Sequence, residues 1–279
     1  DRGRAGLFRH AGSGTQQARG LGMILVAKKC TVSGESGQFR LDRVDVAVGQ
    51  GEMHAVIGPN GAGKSTLMGI LSGIITPDSG TVELMDSPLG DLSVRELARS
   101  RAVLGQELAV SFGFTVAEVV AWGRAPWRGT KEASSDQEKI ELGIRVAEIA
   151  LLCDRRINQL SGGERKRVHI ARVIAQDCPL MFFDEPDSDL DLVGTQQLDE
   201  TLRTLHQGGR TLVVSSHNLS WISGLSTHVT LMGEHEVVAA GPVRKVFTPE
   251  LLSQAYQTKI SVTWSTDARG HEFAICTSS

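Results

Sequence analysis

What this 279-residue sequence has little of narrows the field first. Its four cysteines, Cys30, Cys153, Cys178 and Cys276, lie far apart and form no Cys-x-x-Cys spacing. That excludes the zinc and redox motifs built on such spacing and favours a reducing compartment. There is no basic excess: 29 Lys+Arg against 32 Asp+Glu leave a formal net charge of -3, which speaks against a nucleic-acid binder, since those usually carry a basic stripe. No uncharged apolar run approaches the ~18 residues of a membrane span, so any membrane role is peripheral. Internal repeats and coiled-coil heptads are also missing. A chain of this length buries roughly three-quarters of its unfolded surface and needs no disulfide framework.

The organisation is uneven. Residues 1–22 hold six glycines and four arginines against one acid, with no hydrophobic period, and are expected to form a disordered leader or extension outside a single domain of 23–279. Residues 23–27 read as a strand. Phe39, Leu41, Val44, Val46 and Val48 alternate imperfectly with polar residues, predicting an antiparallel hairpin that feeds a buried strand at 53–57. A further strand is expected at 81–85. Ser93-x-x-Glu96 and Thr115-x-x-Glu118 have the form of capping boxes, and 115–177 is mostly helical by pattern, broken at 126–130. The runs 180–183 and 211–215 are almost wholly apolar, as in a parallel sheet covered on both faces. The tail predicts a hairpin around 233–236, a helix from Pro249 to Tyr256, and weak strands near Ile260 and Phe273.

Two motifs carry chemistry. Gly58-Pro59-Asn60-Gly61-Ala62-Gly63-Lys64-Ser65-Thr66 matches G-x-x-x-x-G-K-[ST], after an apolar strand and before a helical run, the two contexts the motif requires. Glycines let backbone N–H groups curl round phosphates, the helix N-terminus favours anions, Lys64 reaches the β and γ groups, and Ser65 offers a hydroxyl to Mg²⁺. Separately, the strand 180–183 ends in Asp184-Glu185. Strand ends in α/β sheets present ligands, which places Asp184 to orient Mg²⁺ and Glu185 to polarise an attacking water as general base.

A third motif narrows the class. Leu160-Ser161-Gly162-Gly163-Glu164 opens a helical run before the Asp184 strand. Ser161-x-x-Glu164 is also a capping box, but capping alone does not need two adjacent glycines, which suit close approach to a phosphate. Here the sequence resembles the ATP-binding-cassette ATPases over about residues 24–245, with GPNGAGKST as Walker A and LSGGE as signature. The resemblance implies an α/β P-loop NTPase core with an antiparallel β lobe, a helical lobe at about 107–178 and a C-terminal extension at about 243–279. It implies ATP and Mg²⁺ as cofactors. Gln106 looks like the Q-loop glutamine, which joins Ser65 and Asp184 around the metal; Asp191 looks like the D-loop aspartate and His217 like the switch histidine. In the family Ser161, Gly162 and Gly163 contact ATP held by the other subunit, so one Walker A and one signature per chain imply a head-to-tail homodimer.

This sequence departs from the family at two points. Val32, Ser33, Gly34 and Glu35 stand where an adenine-stacking aromatic is common, with Phe39 the nearest aromatic. Five acids, Asp184, Glu185, Asp187, Asp189 and Asp191, share eight positions, and their mutual repulsion calls for Mg²⁺ or basic neighbours.

Residues 111–126, with Phe112, Phe114, Trp122, Gly123, Arg124 and Pro126, look like the run found in importers of iron-siderophores, haem and vitamin B12. Together with the Thr248–Leu252 tail, they look most like haemin importer ATPases. This resemblance implies integral-membrane permease subunits as partners, a substrate-binding protein indirectly, and a peripheral place on the cytoplasmic face of a bacterial cell membrane. Phe112, Phe114, Trp122 and Trp127 are its candidate permease contacts, or else core of the helical lobe. A non-transport ABC protein of translation or DNA repair is the alternative. It fits less well, because one cassette is present and only 95 residues separate Lys64 from Leu160.

Overall fold

A computed structural model of the chain describes residues 22–34, 39–105, 113–188 and 190–278. The proposed leader (save Gly22), Gln106, Phe112 and Asp189 lie outside the described residues. In chain order the elements are β1 (Met23–Ser33), β2 (Phe39–Gly49), β3 (Met53–Ile57), α1 (Lys64–Ser72), β4 (Ser79–Leu84), β5 (Ser87–Pro88), α2 (Val94–Ser100), β6 (Arg101–Leu104), α3 (Val116–Ala121), α4 (Asp136–Val146) and α5 (Gly162–Gln176). They continue with β7 (Leu180–Phe183), α6 (Leu192–Gln207), β8 (Thr211–Ser215), α7 (Leu219–Leu225), β9 (His228–Gly233), β10 (Glu236–Pro242), α8 (Val243–Val246), α9 (Pro249–Tyr256), β11 (Ile260–Thr266) and β12 (Glu272–Ser278). They fall into two compact units, one spanning Ser93–Arg210 and the other formed by the described residues up to Leu92 together with those from Thr211 on.

The second unit carries the expected hairpin. β1 pairs antiparallel with β2 and, along its other edge, with β4. Alternation along β1 is imperfect because the register shifts between Ala27 and Cys30, where Lys29 takes a positive φ of 49°. β3 lies between β8 and β9, parallel to both. Every residue of β3 and of β8 is buried, which is why neither strand shows a polar alternation. α1 packs on β1, β2, β3 and β8, with Leu67, Ile70 and Leu71 almost completely removed from water. In the tail, α9 follows the predicted bounds, and β11 pairs with β12.

In the first unit β6 and β7 are parallel, with Leu104 opposite Phe183. The helical part closes around Val116, Val119, Val120, Ile149, Ile157, Leu160, Val168 and Ala171. Both expected capping boxes form, Ser93 with Glu96 and Thr115 with Glu118. The break at Pro126 is a 3-10 segment, Trp122–Trp127, rather than a continuous helix. Glycine is needed at its second residue: a Cβ on Gly123 would stand 2.3 Å from the Arg172 carbonyl oxygen.

Candidate nucleotide site

The phosphate loop leaves the buried β3 through a backbone that side chains could not follow. Gly58 has φ 151°, and a Cβ there would lie 2.5 Å from the Met232 carbonyl oxygen. Gly63 has φ 96°, with the Arg40 carbonyl oxygen 2.5 Å from its Cβ position. The left-handed Gly63 starts α1 without a side-chain cap, and no acid stands in the helix's first turn. Its first N–H groups and the positive end of the helix dipole are therefore not competed for by a local carboxylate. Lys64 is buried, and its Nζ donates to the Gly58 carbonyl at 2.9 Å and the Pro59 carbonyl at 3.0 Å. The ammonium thus lies folded against the loop it serves. Asn60 and Ser65 are exposed, Ala62 buried and Pro59 half-buried.

His217 belongs to the same unit. The register that pairs Met53 with Leu212 and Val56 with Ser215 carries the phosphate loop and His217 off the same end of β3 and β8. His217 is exposed there, between Ser216, whose Oγ accepts from the Asn218 amide, and Asn218, which caps α7. Sequence reasoning missed Tyr256, the last residue of α9 and the chain's single tyrosine. Its phenol is hydrogen-bonded to the Gly58 backbone, and burial pushes its pKa up to about 12. The only advance signal was its type.

The remaining motif residues sit in the first unit. β7 is wholly buried and ends in the half-buried carboxylates Asp184 and Glu185. The Asp184 amide donates to the Leu104 carbonyl at 3.0 Å, so the chain entering the Q-loop leaves β6 beside the Asp184 end of β7. Glu185 takes a left-handed φ of 48°, and its carbonyl accepts from the amide and the hydroxyl of Ser188. At the signature, Ser161 and Glu164 complete the capping box: the Glu164 amide donates to Ser161 Oγ at 3.2 Å, and the Ser161 amide donates to Glu164 Oε2 at 2.8 Å. The Ser161 amide first, and the Ser161 hydroxyl next, hold the Glu164 carboxyl below the usual range. Gly162 is open, with nothing within 4 Å of a Cβ. Ser161, Gly162 and Gly163 line a pocket of 480 Å³ with Leu190, Asp191 and Val193. Asp191 has a local task as well, because its Oδ1 accepts from the Gly194 amide at 2.7 Å and caps α6.

The run after the Q-loop divides. Phe114 and Trp122 meet edge-to-face at 4.9 Å between centroids, and each is 37% exposed. Trp127 is half-buried and tied down: its Nε1 donates to the Gln176 carbonyl at 2.7 Å, and the buried Arg124 lies over its ring. Arg124 also pairs with Asp136 at 2.8 Å. Packing of the helical part therefore accounts for Gly123, Arg124 and Trp127, and not for the exposed faces of Phe114 and Trp122. At the adenine side, Val32 is buried opposite Leu41 in the hairpin, which removes it as a base platform.

Comparison with known proteins agrees with this geometry. The ABC transporter family profile matches residues 41–188. The chain is 42% identical to the hemin import ATP-binding protein HmuV of Nocardia farcinica, over 89% of this chain and 84% of the relative. It is 41% identical to the protein of that name from Streptomyces coelicolor, over 81% of each. Among solved structures, the dimeric bacterial ABC transporter cassette MJ0796 superimposes with a TM-score of 0.71 at 26% identity, covering 79% of this chain and 99% of that one. With a phosphate loop, an acidic strand end and a glycine signature in place, the chain belongs to the ABC transporter family and is an ATPase of that family.

Proposed function

We propose that this chain is the ATP-hydrolysing, energy-coupling subunit of a haem importer, working as a homodimer on the cytoplasmic face of the membrane beneath two permease subunits. The observation that carries the cargo is the likeness to two relatives named for hemin import, over more than four-fifths of the chain. Iron-siderophore and vitamin B12 carriers are the competing cargoes. No described helix is long and apolar enough to cross a membrane, so coupling requires a docking surface, and the exposed Phe114–Trp122 pair is the apolar patch offered for it.

In this reading Gly58, Pro59, Asn60, Gly61, Ala62, Gly63, Lys64, Ser65 and Thr66 cradle the phosphates of ATP. Lys64 exchanges its two carbonyl acceptors for the β and γ oxygens. Glu185 accepts a proton from the attacking water, and His217 and Gln106 contact the γ-phosphate end. The donor set suits Mg²⁺: the Ser65 hydroxyl, the Asp184 carboxylate and the Gln106 amide are hard oxygen ligands. When bound, that ion neutralises charge on the β and γ phosphates. Ser161, Gly162, Gly163 and Asp191 close on the nucleotide of the second copy, which makes the closed dimer an ATP-driven population shift.

The test is copurification and reconstitution. The chain is expected to bring down an integral-membrane permease, and haemin presented by its binding protein is expected to stimulate ATP hydrolysis in proteoliposomes. Equal stimulation by a ferric siderophore or cobalamin would overturn the cargo. Glu185→Gln is expected to bind ATP, lose most hydrolysis and accumulate as a dimer; normal turnover would remove Glu185 from its role.

A further inference from the structure

The turn between β7 and α6 carries the acids Asp184, Glu185, Asp187 and Asp191, and such a run of like charges calls for a cation close by. The signature helix α5 supplies one. Of its consecutive basic residues, Arg165 turns back to the Leu160 carbonyl and Arg167 reaches Gln197 Oε1 at 2.6 Å. Lys166 goes the other way: its Nζ donates to the Ser188 carbonyl, to Ser188 Oγ at 2.7 Å and to the Glu185 carbonyl at 3.3 Å. Ser188 in turn donates its amide, at 3.2 Å, and its hydroxyl, at 2.9 Å, to that same Glu185 carbonyl.

Three donors therefore converge on the carbonyl of a glutamate whose left-handed φ of 48° is unfavourable for a side-chain-bearing residue unless its surroundings hold it there. Fixing that peptide fixes the direction in which the Glu185 side chain leaves the backbone. The same helix opens at Ser161, Gly162 and Gly163, on the wall of the 480 Å³ pocket that Leu190 and Asp191 also line. The pocket and the Glu185 turn are thus joined by less than two turns of one helix.

We infer that Lys166 is a positioning residue for ATP hydrolysis: it holds the Glu185 turn in its hydrolytic arrangement and ties it to the helix whose first turn lines the signature pocket. The inference rests on the reading of Glu185 as general base. Lys166 acts through the carbonyls of Glu185 and Ser188 and through the Ser188 hydroxyl.

The experiment measures steady-state ATP hydrolysis of the full chain against ATP concentration for Lys166→Met, Lys166→Gln and Glu185→Gln, with melting temperatures beside them. Lys166→Met is expected to lower kcat about tenfold with KM for ATP within twofold of wild type. Lys166→Gln, whose amide still donates to two of the three acceptors, is expected to keep at least a third of wild-type kcat. A Lys166→Met kcat within twofold of wild type overturns the proposal. So does a fall in kcat matched by an equal loss of ATP affinity and not restored by Gln, since that describes general packing damage. If Lys166→Met does not fold, Ser188→Ala replaces it: loss of the hydroxyl bridge is expected to lower kcat about threefold at unchanged KM, and wild-type kcat overturns the proposal. The glutamate variant separates the two readings. An inactive Glu185→Gln beside a normal Lys166→Met defeats only the positioning role, whereas an active Glu185→Gln defeats both.

Discussion

The helix that starts at Lys64 and the one that starts at Gly162 both open at glycine-containing motifs, and both present backbone N–H groups at a positive dipole end. They are finished in different ways. α1 begins from a left-handed glycine, with no side-chain cap and no acid in its first turn. α5 begins from Ser161 and carries its own anion, the Glu164 carboxylate, in a complete capping box. The first arrangement puts no local negative charge at the helix's positive end and relies on the surrounding structure to hold an otherwise unfavourable backbone. The second is locally self-sufficient. The start of α1 is built by tertiary constraint, whereas the start of α5 is held by bonds within its own first turn.

The largest expected effect separates the two starts by one methyl group each. At Gly63 the added Cβ would meet the Arg40 carbonyl at 2.5 Å and the Leu41 side chain at 2.9 Å on a φ of 96°. Gly63→Ala is therefore expected to lose about 3 kcal/mol of stability and to abolish the rise in melting temperature on adding ATP. At Gly162 nothing lies within 4 Å of the added atom, so Gly162→Ala should stay within about 0.5 kcal/mol of wild type. It should still bind ATP, with any loss confined to turnover. Urea unfolding with and without nucleotide checks both, and comparable destabilisation at the two glycines would erase the contrast.

This asymmetry was only partly legible in the sequence. The capping boxes at Ser93, Thr115 and Ser161 could be read from two residues each, because the bonds that make them are local, and the buried strands could be read because a strand covered on both faces leaves an unbroken apolar run. The α6 helix was not predicted, although Asp191 caps it and Leu198, Leu202 and Leu205 repeat along its buried face; the acids of the preceding turn drew the reading towards chemistry instead. Lys166 was invisible for a different reason. A lysine in an Arg-Lys-Arg run looks like a solvated face, and only the fold shows that it turns towards Glu185 and Ser188. Tyr256 reaches Gly58 from almost two hundred positions away in the chain, a pairing no local pattern encodes.

A second effect sharpens the comparison within α5. His169 is buried, and among the described residues neither of its ring nitrogens has a hydrogen-bond partner. Burial first, then Arg172 and Arg165, push its pKa down from 6.5 to about 4. The unfolded chain therefore binds this proton at a higher pH than the native chain does. Stability that is complete above pH 6.5 declines as the pH falls and has lost about 3 kcal/mol by pH 4, at 1.36 kcal/mol per unit. His169→Leu should flatten that decline, as measured by urea midpoints between pH 7.5 and 4.5. A slope in the variant equal to wild type would mean other groups carry it.

The smallest effect tests whether α5 is as self-sufficient as its geometry implies. Ser161→Ala removes the hydroxyl that accepts from the Glu164 amide at 3.2 Å but leaves the opposite bond, from the Ser161 amide to Glu164 Oε2 at 2.8 Å. Loss of a helix N-cap of this kind costs about 1 kcal/mol. The Glu164 carboxyl is held below its usual range first by the Ser161 amide and next by the Ser161 hydroxyl. That contribution is present above the unfolded carboxylate pKa and is lost as the pH falls through the lowered native value. Wild type and Ser161→Ala should therefore differ most at neutral pH and converge in acid, while α1, having no carboxylate cap, contributes nothing to the convergence. Paired denaturation curves at pH 7 and pH 3.5 give the measurement. If the gap is the same at both, the hydroxyl stabilises α5 without the glutamate, and the box is not what distinguishes the two helix starts.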